Sequence, residues 1–258
     1  RASAETSFYT DTDHVNVVSP TAGFGLENPI TGWSLGASYL VDVVSAASAD
    51  IVATATPVWE EERHALGANL GYKPGNFGAA VSGSASIEPD YLSITGGGTL
   101  TWDLFEKNVT LMLGYGYGHD TAGVHKTSFD IFSLQLDRHQ INGGASWTVD
   151  RATLATLVAA VVLEEGDQSK TYRHVPMFPP GTADSIPAGA SVDLVNDKRA
   201  QLRPREQLPL SRDRFALTGR LAHRFSSSTF RLEERAYADS WSLFASTPDP
   251  RLLWNVAD

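Results

Sequence analysis

The sequence predicts an all-β protein, a transmembrane antiparallel up-and-down β-barrel with about 12 strands. Three observations predict this fold. Apolar and small polar residues alternate along most of the chain, as they do on the two faces of a strand. The alternating stretches are about 9 to 13 residues long, which lets a tilted strand cross a bilayer. Short and long connections between the stretches mostly alternate as well.

The composition of the chain argues against several classes of protein. The chain has 258 residues, a formal net charge of -10 and no cysteine. The acidic balance argues against a nucleic-acid binder that uses a basic face. The lack of cysteine excludes disulfides, thiolate metal sites and cysteine nucleophiles. No apolar stretch approaches the roughly 20 residues that a membrane-spanning helix needs.

The first clear alternating stretch begins at Trp33, where Leu35, Ala37 and Tyr39 share one face and Ser34 opens the other. The same division recurs in five later stretches, whose apolar stripes begin at Phe77, Leu92, Val109, Ile141 and Phe215. In each stretch the opposite face is rich in glycine, serine, threonine or scattered charges. Water in a lumen would satisfy that face; the alternative is the solvent side of a soluble sandwich.

The connections between these stretches are alternately short and long, with one exception. Short polar turns occur near residues 27–29, 73–75, 105–107, 150–151 and 226–227. Longer links cover residues 46–63, 119–137 and 167–211, with a short exception at 88–90. This parity is typical of an outer-membrane barrel, which has tight periplasmic turns and larger extracellular loops.

Aromatic residues cluster near the ends of the stretches, as in the interfacial girdles of bilayer proteins. They are Phe24, Trp33, Tyr72, Trp102, Tyr115, Tyr117, Trp147 and Phe225. We predict one barrel domain over residues 1–258. Its link of about 167–211 contains six prolines, so it cannot be a continuous strand and is expected to form a long extracellular loop.

Several segments resemble a bacterial family. They are the stretch from Tyr9 to Val15, Val18-Ser19-Pro20, the segment YLVDVVSAASA from Tyr39 to Ala49, Glu206 to Arg214, and Arg235 to Trp241. The chain resembles the domain-of-unknown-function 3570 family, whose members are expected to be outer-membrane β-barrels of Gram-negative bacteria. The resemblance implies a fold and a location, but no activity and no catalytic residues.

The C-terminus departs from that family, whose members continue through several more strands. Such barrels commonly end in an aromatic residue, whereas this chain stops at Asp258. The pattern Leu252, Trp254 and Val256 looks like the opening of a strand. Either strands are missing at the C-terminus or the barrel closes early.

Charged residues of the late strands predict the lining of the lumen, because an arginine facing lipid near the midplane costs about 2–4 kcal/mol. The predicted lumen and selectivity residues are Arg214, Arg220, Arg224, Arg231, Glu233, Arg235, Tyr237 and Asp239, together with Asp103. This set would either tune a pore or fill the barrel with ion pairs. Glu234 falls on the lipid-facing parity, which predicts a bulge, a register shift or a position near the rim.

An acidic turn supplies the candidate cation site. Asp11 and Asp13, together with Asp42, would offer oxygen ligands to a hard cation such as Ca²⁺. The alternative is an ordinary solvated hairpin turn, which favours aspartate.

The predicted function is porin-like passage of small solutes or ions through the bacterial outer membrane. The alternative is a non-conducting barrel that anchors or scaffolds a surface or periplasmic complex. We predict no enzyme, because no nucleophile constellation or phosphate loop occurs, and no cofactor or metal. The expected partners are outer-membrane lipid and lipopolysaccharide, with protein partners at extracellular loops or periplasmic turns and no nucleic acid.

Overall fold

The computed structural model describes residues 1–10, 16–44, 61–175, 177–201 and 204–254. These residues form twelve strands in chain order: β1 (Ala2–Thr10), β2 (Asn16–Asn28), β3 (Trp33–Val44), β4 (Glu61–Tyr72), β5 (Phe77–Glu88), β6 (Tyr91–Leu104), β7 (Val109–Ala122), β8 (Leu134–Thr148), β9 (Thr153–Gly166), β10 (Ser211–Arg224), β11 (Ser228–Asp239) and β12 (Phe244–Trp254). A short helix, α1, covers Val192–Lys198. No helix of the described residues is long and apolar enough to cross a membrane.

The strands make one antiparallel sheet in which each pairs with the next along the chain, from β1 to β12. This confirms the predicted up-and-down order and the strand count. The reason is local: a short turn returns the chain beside the strand it has just left, so its backbone groups pair without a crossover. Strands of 9 to 15 residues exceed the usual length in soluble sheets.

The outward face of the sheet is the apolar one. Cross-strand pairs such as Phe77–Trp102 and Leu100–Leu113 place large apolar side chains on one side, and about half of each side chain is exposed. An exposed apolar surface of this extent marks contact with a membrane or with another protein. The band therefore fits the hydrocarbon of a bilayer.

Aromatic residues lie at one edge of this apolar band, near the short turns of the sheet. Trp33 and Tyr72 lie side by side with ring centroids 4.4 Å apart, and Trp102 and Trp147 occupy corresponding ends of β6 and β8. Each of these four side chains is at least two-fifths exposed. Their amphipathic rings suit the interface between hydrocarbon and water.

The two ends of the sheet carry different connections. Turns of three or four residues join β2–β3, β4–β5, β6–β7, β8–β9 and β10–β11, and we call this the short-turn end. At the turn before β9, Asp150 accepts hydrogen bonds from the Ala152 amide and the Thr153 hydroxyl, which lower the pKa of its carboxyl. The opposite, long-loop end includes residues 123–133 and 167–210, although two tight turns, 89–90 and 240–243, also lie there.

Glu234 corrects a prediction. It lies on the outer face near the middle of β11, opposite Gly219 of β10 and Pro248 of β12. In these fully described strands the β10–β11 register is continuous, so the expected bulge, register shift or rim position is wrong. The physical reason is that the Glu234 carboxylate has a hydrogen-bond donor on the next strand. The Ser246 hydroxyl donates a 2.6 Å hydrogen bond to it, so the backbone pairing of β11 can continue through this position.

Replacing this carboxylate should stabilise the protein. We expect Glu234→Gln to raise the free energy of unfolding of the lipid-inserted protein by about 1 kcal/mol. The glutamine amide oxygen still accepts the hydrogen bond from Ser246, but the negative charge that faces lipid is removed. Urea titration of the protein in lipid vesicles measures the change. The control is Glu233→Gln on the inner face, which loses the ion pair with Arg220 and should bring no gain. Equal stability of Glu234→Gln and the wild type would place Glu234 outside the hydrocarbon.

Candidate functional site

The inner face of the sheet curves around a cavity of about 550 Å³. Its lining runs from Ser82 on β5 to Tyr237 on β11 and includes inward side chains of the strands between them. In a flat sheet these two strands would lie about 29 Å apart, since they are six spacings of about 4.8 Å from one another. The shared cavity therefore shows that the sheet is rolled, with its polar face inward.

One wall of this lumen is made of small residues. On β5, β6 and β7 the inward positions beside the cavity include Ser82, Gly97 and Gly116, which pair directly across the three strands. A Cβ added at Gly116 would meet only the Gly96 carbonyl oxygen, 3.9 Å away. Small side chains leave the space that the cavity occupies.

The other wall is strongly charged and net positive. The inward positions of β8–β12, which the structure describes throughout, carry eight arginines and four carboxylates. The arginines are 138, 212, 214, 220, 224, 231, 235 and 251, and the acids are 164, 233, 239 and 249. This wall, β8–β12, is thus cationic although the whole chain carries a net charge of -10.

Every carboxylate of this wall has an arginine partner. Arg220 donates to Glu233 at 2.6 Å and Arg251 to Asp249 at 2.5 Å. The wall's other two pairs are Arg214–Glu164 and Arg212–Asp239. Arg138 instead bonds Asp120, which lies on β7. Ion pairs therefore neutralise part of the wall.

Three arginines of the charged wall have no carboxylate partner among the described residues. They are Arg224, Arg231 and Arg235. Arg235 lies 6.0 Å from the centre of the Tyr237 ring, a weak cation–π contact. These three free guanidinium groups make up most of the wall's positive excess.

Asp239 has a different environment from the other predicted lumen residues, because its side chain is fully buried. It accepts hydrogen bonds from Arg212, from the Tyr237 hydroxyl at 3.0 Å and from two backbone amides of the turn that follows, those of Trp241 and Leu243. Arg212 also lies over the Trp241 ring, with its Cζ 4.4 Å from the ring centre. Two segments that carry the family resemblance, 206–214 and 235–241, meet in this network.

The remaining predicted residues lie apart from the charged wall. Asp103, near the short-turn end of β6, is bound by Lys73 at 2.7 Å and by the Thr110 hydroxyl at 2.8 Å. Asp42 is almost fully buried and paired with Arg63. Asp11 and Asp13 lie outside the described residues, so the cation site stays a prediction.

Sequence reasoning missed five of the twelve charged residues of this wall: Arg138, Glu164, Arg212, Asp249 and Arg251. Alternation signalled Arg212, two positions before Arg214 on the same face. Glu164 gave a weaker signal, because the apolar run before it hides the period. Which acid pairs with which arginine depends on the register, and the sequence alone does not determine it.

The long connection between β9 and β10 reaches back over earlier strands. The Tyr172 hydroxyl donates to Asp90, in the β5–β6 turn, and accepts from the His125 amide at 2.6 Å. Farther along, the Arg205 guanidinium lies 4.6 Å from the centre of the Phe132 ring. These contacts fasten the described part of the 167–210 connection to the β5–β6 and β7–β8 connections at the long-loop end.

Comparison with known proteins supports the fold. The family model described as "Protein of unknown function (DUF3570)" matches residues 40–258, which confirms the resemblance predicted from the sequence. The siderophore receptor PirA from Acinetobacter baumannii matches with a TM-score of 0.53 and 12% identity, over 100% of this chain and 41% of that chain. This chain thus spans about two-fifths of the length of PirA.

A second solved structure, LpxR from Salmonella typhimurium, matches with a TM-score of 0.39 and 9% identity, over 92% of this chain and 88% of that chain. No curated protein matches the sequence. At 12% identity the likeness to PirA concerns the architecture alone, which agrees with the twelve antiparallel strands of this chain.

Proposed function

This chain belongs to the DUF3570 family, and we propose that it is an outer-membrane β-barrel that passes small solutes or ions through its polar lumen. The observation that carries the proposal is the inward cavity of about 550 Å³, with a wall of small residues on one side and arginines on the other. A barrel built only as a membrane anchor needs neither the space nor the unpaired charge.

The charged wall supports a preference for anions. Fixed charge of one sign in a narrow aqueous lumen raises the local concentration of the opposite ion. Arg224, Arg231 and Arg235 contribute charge that no carboxylate of the described residues neutralises. Small anions should therefore enter more readily than cations of the same size.

Single-channel recording in a planar bilayer tests the proposal. We expect discrete conductance steps and, under a KCl gradient, a reversal potential whose sign reports chloride permeation. The protein must first be shown to be inserted, by its resistance to urea extraction from vesicles. Inserted protein that conducts no current would refute the pore.

A second function, a non-conducting barrel that docks a protein partner, is favoured by the long connection. The described part of the 167–210 connection reaches across the loops at one end of the lumen and is fastened there through Tyr172 and Arg205. A fastened surface loop offers both a cover for the lumen and a surface for a partner.

A variant that loosens the β9–β10 connection should distinguish the pore from the non-conducting barrel. We expect Tyr172→Phe to speed trypsin cleavage within residues 167–210 by about tenfold, because the hydroxyl bonds to Asp90 and to the His125 amide are lost. If the connection covers a pore, the open-channel current should also rise. The matched control is Tyr72→Phe at the short-turn end. Unchanged cleavage would mean that other contacts hold the connection.

A further inference from the structure

The lumen cavity is shaped for a particular class of solute. We propose that it binds a small organic anion, a carboxylate or phosphate on a short carbon skeleton, between Arg214 and Arg235. This deepens the proposed pore function, on which it rests, by naming the class of solute that the pore would select.

The cavity combines an apolar floor with a polar rim. Its floor includes Ala160, Val162 and Ala216, which neighbour one another across β9 and β10. On one side, β8 contributes the amides of Gln140 and Asn142. A floor of short apolar side chains suits a carbon skeleton, whereas amides suit hydroxyl or carbonyl groups, so the surface is more than a uniform cationic lining.

Two guanidinium groups on the other side have unused hydrogen-bonding capacity. Arg214 pairs with Glu164 through Nη2, but its Nε is buried and has no hydrogen-bond partner among the described residues. Arg235 has no carboxylate partner in the described chain and lies 6.0 Å from the Tyr237 ring. A buried charged donor without a partner is costly, and the oxygens of a carboxylate or phosphate match a guanidinium fork.

The glycines opposite keep the site open. Gly97, Gly116, Gln140, Val162 and Arg214 form one inward cross-strand row from β6 to β10. Any side chain at Gly116 would project into the space beside Gln140, where a Cβ meets no atom closer than 3.9 Å. The cavity can therefore be filled without touching an arginine.

Calorimetric titration of the folded full chain in detergent micelles tests the site, with succinate and inorganic phosphate as anionic probes and glycerol as the neutral one. We expect saturable succinate binding, weaker phosphate binding and no heat with glycerol, because the apolar floor rewards a carbon skeleton. If phosphate bound as tightly as succinate, the apolar floor would not contribute to binding, and that part of the proposal would be refuted. Heat with neither anion would overturn the proposal altogether.

Two variant pairs distinguish a site from general attraction. We expect Arg235→Gln to weaken succinate binding about tenfold, whereas Arg231→Gln, on the same face of β11 but outside the cavity, should have a much smaller effect. Gly116→Leu should abolish binding, and Gly143→Leu, on the outer face of β8, should not. Equal losses from Arg231→Gln and Arg235→Gln would show a diffuse cationic wall and refute the site.

Current recordings separate this proposal from the pore itself. Succinate that binds to a protein without conductance would refute the channel and leave the site. A conducting protein whose chloride current is insensitive to succinate, and which binds none in the calorimeter, would retain the pore and refute the site.

Discussion

Replacing the three unpaired arginines with glutamate, as Arg224→Glu, Arg231→Glu and Arg235→Glu together, should change the pore from anion-selective to cation-selective. The inward faces of β8–β12 would then carry five arginines against seven carboxylates, instead of eight against four. We expect the ratio of chloride to potassium permeability to fall on the order of tenfold or more, with a change in the sign of the reversal potential.

The structure indicates why this triple variant should still fold. None of the three side chains belongs to an ion pair of the described chain, so their reversal breaks no ion pair and removes only the weak contact of Arg235 with the Tyr237 ring. The matching triple glutamine variant should weaken the anion preference without inverting it. A reversal potential that is the same in all three proteins would show that this wall does not face the ion pathway.

Removing the carboxylate of Asp239 should be the most damaging single substitution for stability. Asp239→Ala removes the hydrogen-bond acceptor of the Arg212 guanidinium, the Tyr237 hydroxyl and two turn amides, at a position whose side chain has no exposed surface. Breaking a buried pair by removing one partner leaves an uncompensated charge. We expect the folding equilibrium constant to drop on the order of 100-fold, measured by urea titration in vesicles.

The matched control for this experiment is Asp249→Ala, in the middle of the adjacent strand β12. Asp249 also pairs with an arginine, but its side chain is two-fifths exposed and contacts Arg251 on its own strand. Exposed pairs contribute little, so stability should barely change. Similar losses from Asp239→Ala and Asp249→Ala would mean that burial does not determine the cost at position 239.

Much of this molecule could be predicted from its alternation. The shared inward face of Arg231, Glu233 and Arg235 follows from a period of two, and the register confirms it. Glu234 shows the limit of that reasoning. The period of two correctly placed Glu234 on the outer face. The 2.6 Å hydrogen bond that it accepts from Ser246, however, depends on which residues face one another across β11 and β12.

The charged wall shows the same division between sequence and tertiary structure. The fold class, the strand order and the identity of most inward charges follow from the sequence alone, because strand periodicity and short turns are local properties of the chain. The burial of Asp239 beneath Arg212, the lack of an ion pair for Arg235 and the shared cavity of Gly116 and Arg214 became visible in the folded sheet. Those facts depend on register and on the curvature of the sheet, which bring together residues that are far apart in the chain.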